Sequence, residues 1–435
     1  MDFQDSNTLR TTSRVSLLYS SSTIALGLAA AVMITAAAPP PEMSRAAKAQ
    51  YLNSHMVSTQ HWRPIFDRPP AAGRAARAAM GKSSKNAGAG VTVPYWTTTI
   101  KSPLDGVTYN VSMVGSSPYA AQKTNTNVTY VPVAVRIHLG GFTLDPSAPS
   151  NCDLQSPARR FFNSPIFRPN TFTSNGVGVS AVPGGTQLIS AFQRANFWNA
   201  VQGTGYGVTL VPSRLDTIVV DWTPTDPLDF VGAVPDNCGG TTPVAFVNIN
   251  EFDSELRAIA ATYAKPNQVP ISLADDVAIY VGGNTNNCCV LGYHNAIAVP
   301  GGTQLYAVGA YFDTNQVFSG RFPDITVWSH ELGELIDDPF VQSGNTVPAD
   351  SDVTPAWGHT GQTGGCQNNL EVGDPLTPAQ AGNFGVYPVT GVGGFVYHYQ
   401  DLAFHDWFYR TASTSTGGSG SFKGNLAGGG QGPCF

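Results

Sequence analysis

Pro323 and Pro339 fence off the segment Asp324-Ile-Thr-Val-Trp-Ser-His330-Glu331-Leu-Gly-Glu334-Leu-Ile-Asp-Asp338, whose apolar residues recur at helical spacing. Ile325, Trp328, Leu332, Leu335 and Ile336 supply an apolar face. Asp324, directly after a proline, is a good N-cap, and Pro339 is a stop. A segment this apolar around a polar triplet is expected to form a buried helix. Its His and Glu side chains must then find partners, because buried charge is costly unless it is paired.

The spacing of that triplet suggests what the partner is. His330 and Glu334 are four residues apart, so one helical turn brings them side by side. An imidazole nitrogen and a carboxylate oxygen so placed can hold two corners of a tetrahedral metal ion. Glu331 occupies the position that is the general base for a metal-bound water in the H-E-x-x-H peptidases. Here a glutamate replaces the second histidine. That substitution leaves the ion less positive, so water on it is less acidic than at a three-histidine site. A third ligand has to come from elsewhere. Glu371 is the first candidate and Asp374 the second, both in Glu371-Val-Gly-Asp374-Pro375, with His359, His398 and His405 in reserve. His294 is a candidate cleft residue with a hydrogen-bonding role. Zinc is the expected ion, and a carboxylate-rich donor set also suits other divalent ions.

The rest of the chain frames this segment. Arg10 and Arg14 precede an apolar run, Ile24 to Ile34, then Ala36-Ala37-Ala38 and three prolines. These are the parts of an export signal, so residues 1–38 are expected to be cleaved, leaving no stable membrane span. Export implies an oxidising compartment in which the six cysteines pair. An adjacent Cys288–Cys289 pair is not expected, because its eight-membered ring is strained. Cys238 or Cys366 is a partner for one of these two, and Cys434 for Cys152 or Cys366. Residues 39–92 carry eight basic and two acidic side chains, against a chain total of −6. They read as a basic pro-segment or linker, with Ala71–Gly90 its flexible part. The acidic remainder argues against a nucleic-acid partner.

Beyond residue 91 the pattern turns to strands at Val131–Leu139, Thr217–Trp222, Val277–Val281 and Leu305–Phe312. The last is expected at the cleft edge, where an extended substrate can pair with it. Helices are expected at Gln187–Val201 and, after an Asn250 cap, Glu251–Ala264. The word VPGGTQL occurs at Val182–Leu188 and Val299–Leu305 and reads as a recurring turn. Residues 93–412 form the expected catalytic unit, one domain or two subdomains divided near 240. Residues 413–435 are a Gly/Ser-rich tail.

The helix from His330 to Pro339, the later Trp357, Glu371-Val-Gly-Asp374, and Cys288-Cys289 leading to Gly-Tyr-His294 together resemble the motifs of the EXORDIUM-like (phosphate-induced) secreted proteins and their microbial relatives. The resemblance covers roughly residues 270–375, and it departs from the family pattern in having Pro375 where the family has a cysteine. It implies a zincin-like metal site in a family whose plant members act mainly as cell-wall growth factors. The expected fold is therefore α+β, a β-rich N-terminal half leading into a zincin-like sheet packed on an active-site helix. The expected function is that of a secreted metal-dependent hydrolase, a zinc peptidase acting on peptide or protein substrates. The alternative is a non-catalytic secreted cell-wall-associated or binding protein whose metal is structural. A serine hydrolase is disfavoured by the lack of a G-x-S-x-G elbow.

Overall fold

The computed structural model describes residues 42–57, 93–103, 105–150, 152–236, 238–299, 302–312, 322–340, 354–355, 357, 369–376, 385–416 and 421–423. The expected export signal, the Ala71–Gly90 stretch, His359, Cys366 and Cys434 lie outside these residues. The chain opens with helix α1 (Arg45–Ser54), then strands β1 (Tyr95–Lys101), β2 (Thr108–Val114), β3 (Asn125–Leu139) and β4 (Phe142–Leu144). Helix α2 (Pro157–Phe162), the short strands β5 (Thr173–Ser174) and β6 (Val177–Gly178), and helices α3 (Leu188–Asn196) and α4 (Trp198–Val201) follow. Strands β7 (Gly207–Pro212), β8 (Ile218–Trp222), β9 (Phe230–Pro235) and β10 (Thr241–Asn248) lead to helix α5 (Ile249–Tyr263). Then come β11 (Val269–Asp275), β12 (Val277–Tyr280), β13 (Cys288–Val290), β14 (Gly292–Val299) and β15 (Gly302–Tyr311). Helix α6 (Thr326–Asp337), strands β16 (Val386–Thr390) and β17 (Val396–Gln400), and helix α7 (His405–Tyr409) complete the set. This is a mixed, sheet-rich α and β architecture.

β3 is the spine of a seven-stranded sheet. β7, β8 and β11 each pair with it in parallel, and β15 pairs in parallel with β11. Parallel strands need cover on both faces, and β3 accordingly runs buried without a break from Tyr130 to Val135. β14 ends the sheet antiparallel to β15, in register from Gly292↔Gly309 to Val299↔Gly302. β15 thus has a neighbour on each side, and β14 takes the edge that the sequence suggested for Leu305–Phe312. A second sheet of order β13-β12-β10-β9 carries the other long helix, α5.

The two-residue period of strands sends β15 into two cores. Leu305, Ala307 and Tyr311 pack with Trp328, Leu332 and Leu335 of α6, whereas Tyr306, Val308 and Ala310 pack with Phe252 and Leu256 of α5. Two glycines let α6 lie close to the sheet. A Cβ on Gly309 would fall 2.9 Å from the Trp328 ring, and one on Gly292 2.7 Å from Val327. Any larger residue at either position would push the helix outward.

Several local expectations change. Helix α6 begins at Thr326, because Asp324 adopts a left-handed φ of 40° and spends its carboxylate on the Ile325 N–H and on His398. Asn248, not Asn250, caps α5 by accepting from the Asn250 N–H. The Gln187–Val201 helix divides at Phe197. The first VPGGTQL word runs into the start of α3, and the second joins β14 to β15, so the two are not copies of one unit. Cys152 pairs with Cys238 and Cys288 with Cys289. The vicinal pair was not expected; the ring closes across a cis peptide, with the Cα atoms 3.0 Å apart.

Two segments that composition sets apart from the folded unit are packed against it. Tyr51 of α1 donates to the Val231 carbonyl, and Val57 and His55 bond to Ala233 of β9. In the Gly/Ser-rich tail, Thr414 and Thr416 bond to the α3–α4 region, and Phe422 is 1% exposed in the core. Among the described residues no helix is long and apolar enough to cross a membrane.

Candidate metal centre

Helix α6 supplies three of the residues singled out by the sequence, and it is buried along its whole length. The His330 Nε2 lies 3.0 Å from the Glu334 Oε2, one turn on. Glu331 points to the neighbouring side of the helix, where its Oε2 is 3.6 Å from the Nδ1 of His294 on β14. His294 reaches this place because it shares the face of β14 that Gly292 and Ala296 turn toward α6.

The Glu371–Asp374 segment closes the cluster from outside the helix. Its Gly373 N–H donates to the Glu334 Oε1 at 3.0 Å. Gly373 also has to be glycine, because a Cβ there would overlap the His330 ring. This close approach carries Asp374 to 3.6 Å from the His330 Nε2. Glu371 accepts from the Asn369 side chain and contacts the Glu334 carboxyl. Trp357 steadies the segment by donating its indole N–H to the Asn369 carbonyl while stacking edge-on against Trp407 and Phe408.

Both histidines are held in one tautomer by neighbours that the motif does not contain. Gln400, at the end of β17, donates its amide N–H to the Gly373 carbonyl at 2.8 Å. A carbonyl only accepts, so the Gln400 Oε1 must face the His330 Nδ1, 3.1 Å away. That nitrogen therefore carries a proton, and Nε2 faces Glu334 and Asp374. His294 repeats the arrangement: its Nε2 is 2.9 Å from the Asp338 carbonyl, and its Nδ1 faces Glu331. Such outer hydrogen bonds are how proteins orient histidine ligands.

His294, His330, Glu331, Glu334, Glu371 and Asp374 are each at most 6% exposed. Burial, then the charges of Asp374 and Glu331, push the Glu334 carboxyl well above the usual range. Burial and then Glu334, Asp338 and Asp374 do the same to Glu371. Carboxylates crowded out of water with two imidazoles facing them suit a divalent cation, and this donor set fits one. Two overlapping groups have ligand atoms that all lie within 4.8 Å of one another: His330 with Glu331 and Glu334, and His294 with Glu334 and Glu371. These buried His and Glu groups can hold a metal ion.

Two of the reserve histidines, His398 and His405, serve elsewhere. His398 pairs with Asp324 at 2.7 Å, which raises the imidazole's pKa, and His405 pairs with Asp337 at 2.8 Å. A third cluster, Cys152, Asp236 and Cys238, contains the disulfide already described. Compared with protein families, curated proteins and solved structures, the chain has no significant match.

Proposed function

We propose that the chain is an exported metal-dependent hydrolase, a zinc peptidase of the H-E-x-x-E type that cleaves peptide or protein substrates. The observation that carries this reading is the meeting, at one buried place, of His330, Glu331 and Glu334 from one helix with Asp374 from a distant segment. His330 Nε2, Glu334 and Asp374 are the ligands in this reading. Asp374 replaces Glu371 as third ligand because it faces Nε2, while Glu371 groups with His294. A bound ion at this position supplies Lewis acidity toward a peptide carbonyl and toward water.

The other tasks fall to the chain's own groups. Glu331, beside the ligands but on the next face of the helix, takes the proton of the attacking water, a role worth about 10²–10⁴-fold in rate. His294 stands 3.6 Å from that carboxylate. Gln400 and Gly373 fix the ring and the carboxylate that hold the ion. The packing of α6 across β14 and β15, with β14 at the edge, supports a zincin-like arrangement. The EXORDIUM-like resemblance rests on the motifs alone. Arg10, Arg14 and the apolar run after them support export, as does the Cys152–Cys238 disulfide.

Elemental analysis of the purified chain beside His330→Ala tests the metal, and Glu331→Gln tests the base. Less zinc is expected in His330→Ala than in the wild type. Glu331→Gln is expected to keep its metal while peptide turnover falls by about three orders of magnitude. A wild type that binds no added zinc refutes the reading. The near-complete burial of the ligands also suits a binding protein with a structural ion. That alternative gains if the metal is present but no peptide is cleaved.

A further inference from the structure

Charge does not balance around a single ion. Glu331, Glu334, Glu371 and Asp374 bring four carboxylates into one buried cluster. One divalent cation offsets half of that charge.

The donors are also arranged as two sets. His330 Nε2 and His294 Nδ1 each face the carboxylates, and each ring is held from behind by an uncharged acceptor. They belong to separate groups of ligand atoms that have one residue in common, Glu334. Its two oxygens are differently engaged: Oε2 lies 3.0 Å from His330, and Oε1 accepts the Gly373 N–H. Glu371, in contact with the Glu334 carboxyl and grouped with His294, has no part in the three-ligand site proposed above. Two carboxyls in contact must share a proton or a cation.

We propose that the centre is binuclear, with a second divalent first-row metal ion held by His294 Nδ1, Glu371 and Glu334, the last bridging it to the ion at His330. This inference rests on the metal reading of His330 and extends it. A carboxylate bridge typically sets two such ions about 3.5–4 Å apart. One imidazole and two carboxylates per ion suit manganese, iron or zinc better than copper or a thiolate-seeking metal.

The test is a stoichiometric titration of the metal-stripped full chain with Co²⁺ and Mn²⁺, followed by dialysis and elemental analysis. Two equivalents are expected in the wild type, and one in each of His294→Ala and His330→Ala. Manganese-loaded wild type is expected to show the electron paramagnetic resonance spectrum of a coupled pair. His294→Gln, closer in polarity, is measured beside His294→Ala, and the wild-type count does not depend on either variant folding. Saturation at one equivalent in both the wild type and His294→Ala overturns the second site and leaves the first standing. Two equivalents with uncoupled manganese would place the second ion away from Glu334 and also overturn it. No metal at all refutes the function proposed above, and the binuclear centre with it.

Discussion

Two buried carboxylate clusters lie back to back across β14, and they are solved in opposite ways. On the α5 side, Asp253 is fully buried and accepts the Tyr293 and Tyr306 hydroxyls at 3.2 and 2.5 Å. Arg257 stands 3.2 Å from its other oxygen, so one negative charge meets one positive charge and two donors. On the α6 side, the next residue of the strand is His294, which faces carboxylates in excess. The first cluster is closed by the chain itself. The second gathers buried His and Glu groups that can hold a metal ion, and under the metal reading that contrast separates a structural buried charge from a ligand site.

The largest expected difference between the two comes from removing metal. Chelation should destabilise the loaded protein by about 4 kcal/mol when the ion had been present at a thousand times its dissociation constant. The gap should also depend on pH. In the stripped protein the Glu334 and Glu371 carboxyls are raised above their usual 4.5, so the stability they lend is intact below that value. It is lost as pH climbs toward their folded values. Urea midpoints measured from pH 5 to 8, with and without chelator, should therefore diverge as pH rises; a constant gap would remove these carboxyls from the metal site.

A smaller effect is expected on the other side of the strand. Tyr306→Phe leaves Asp253 short of a donor and should cost about 1–3 kcal/mol. The loss should be equal with and without chelator, and a chelator-dependent loss would mean that the two clusters are coupled through β14. Smaller still is Gln400→Leu. It should weaken metal affinity about tenfold by releasing the His330 ring. Competition with a chromophoric chelator measures it, and unaltered affinity would deny Gln400 its positioning role.

The side chains with distinctive chemistry were legible, because a His and a Glu one helical turn apart are visible in the spacing alone. His330, Glu331, Glu334, Glu371, Asp374 and His294 all meet in one cluster. The groups that orient them were not legible. The Asp338 contribution is a backbone carbonyl, Gly373 acts through an N–H and a missing Cβ, and Gln400 arrives from a strand with nothing unusual in its sequence. Such contacts are set by tertiary approach and leave no periodic trace. Edge assignment failed for the same reason: β14 and β15 are both apolar, and only pairing decides which is outermost. Residues 42–57 misled through composition, since few apolar side chains, among them Tyr51, Leu52 and Val57, anchor them.

Those sixteen residues bear on how the protein should be handled. β9 is the last strand of its sheet, and the pairing of Met56 with Ala233 covers part of that edge. A chain trimmed to start at residue 93, where composition invites a cut, would bare the backbone of β9 and the apolar patch beneath Met43 and Val57. Unpaired edges of this kind recruit other chains. Poor solubility of such a truncation would thus reflect a missing cover strip and say nothing about the metal centre.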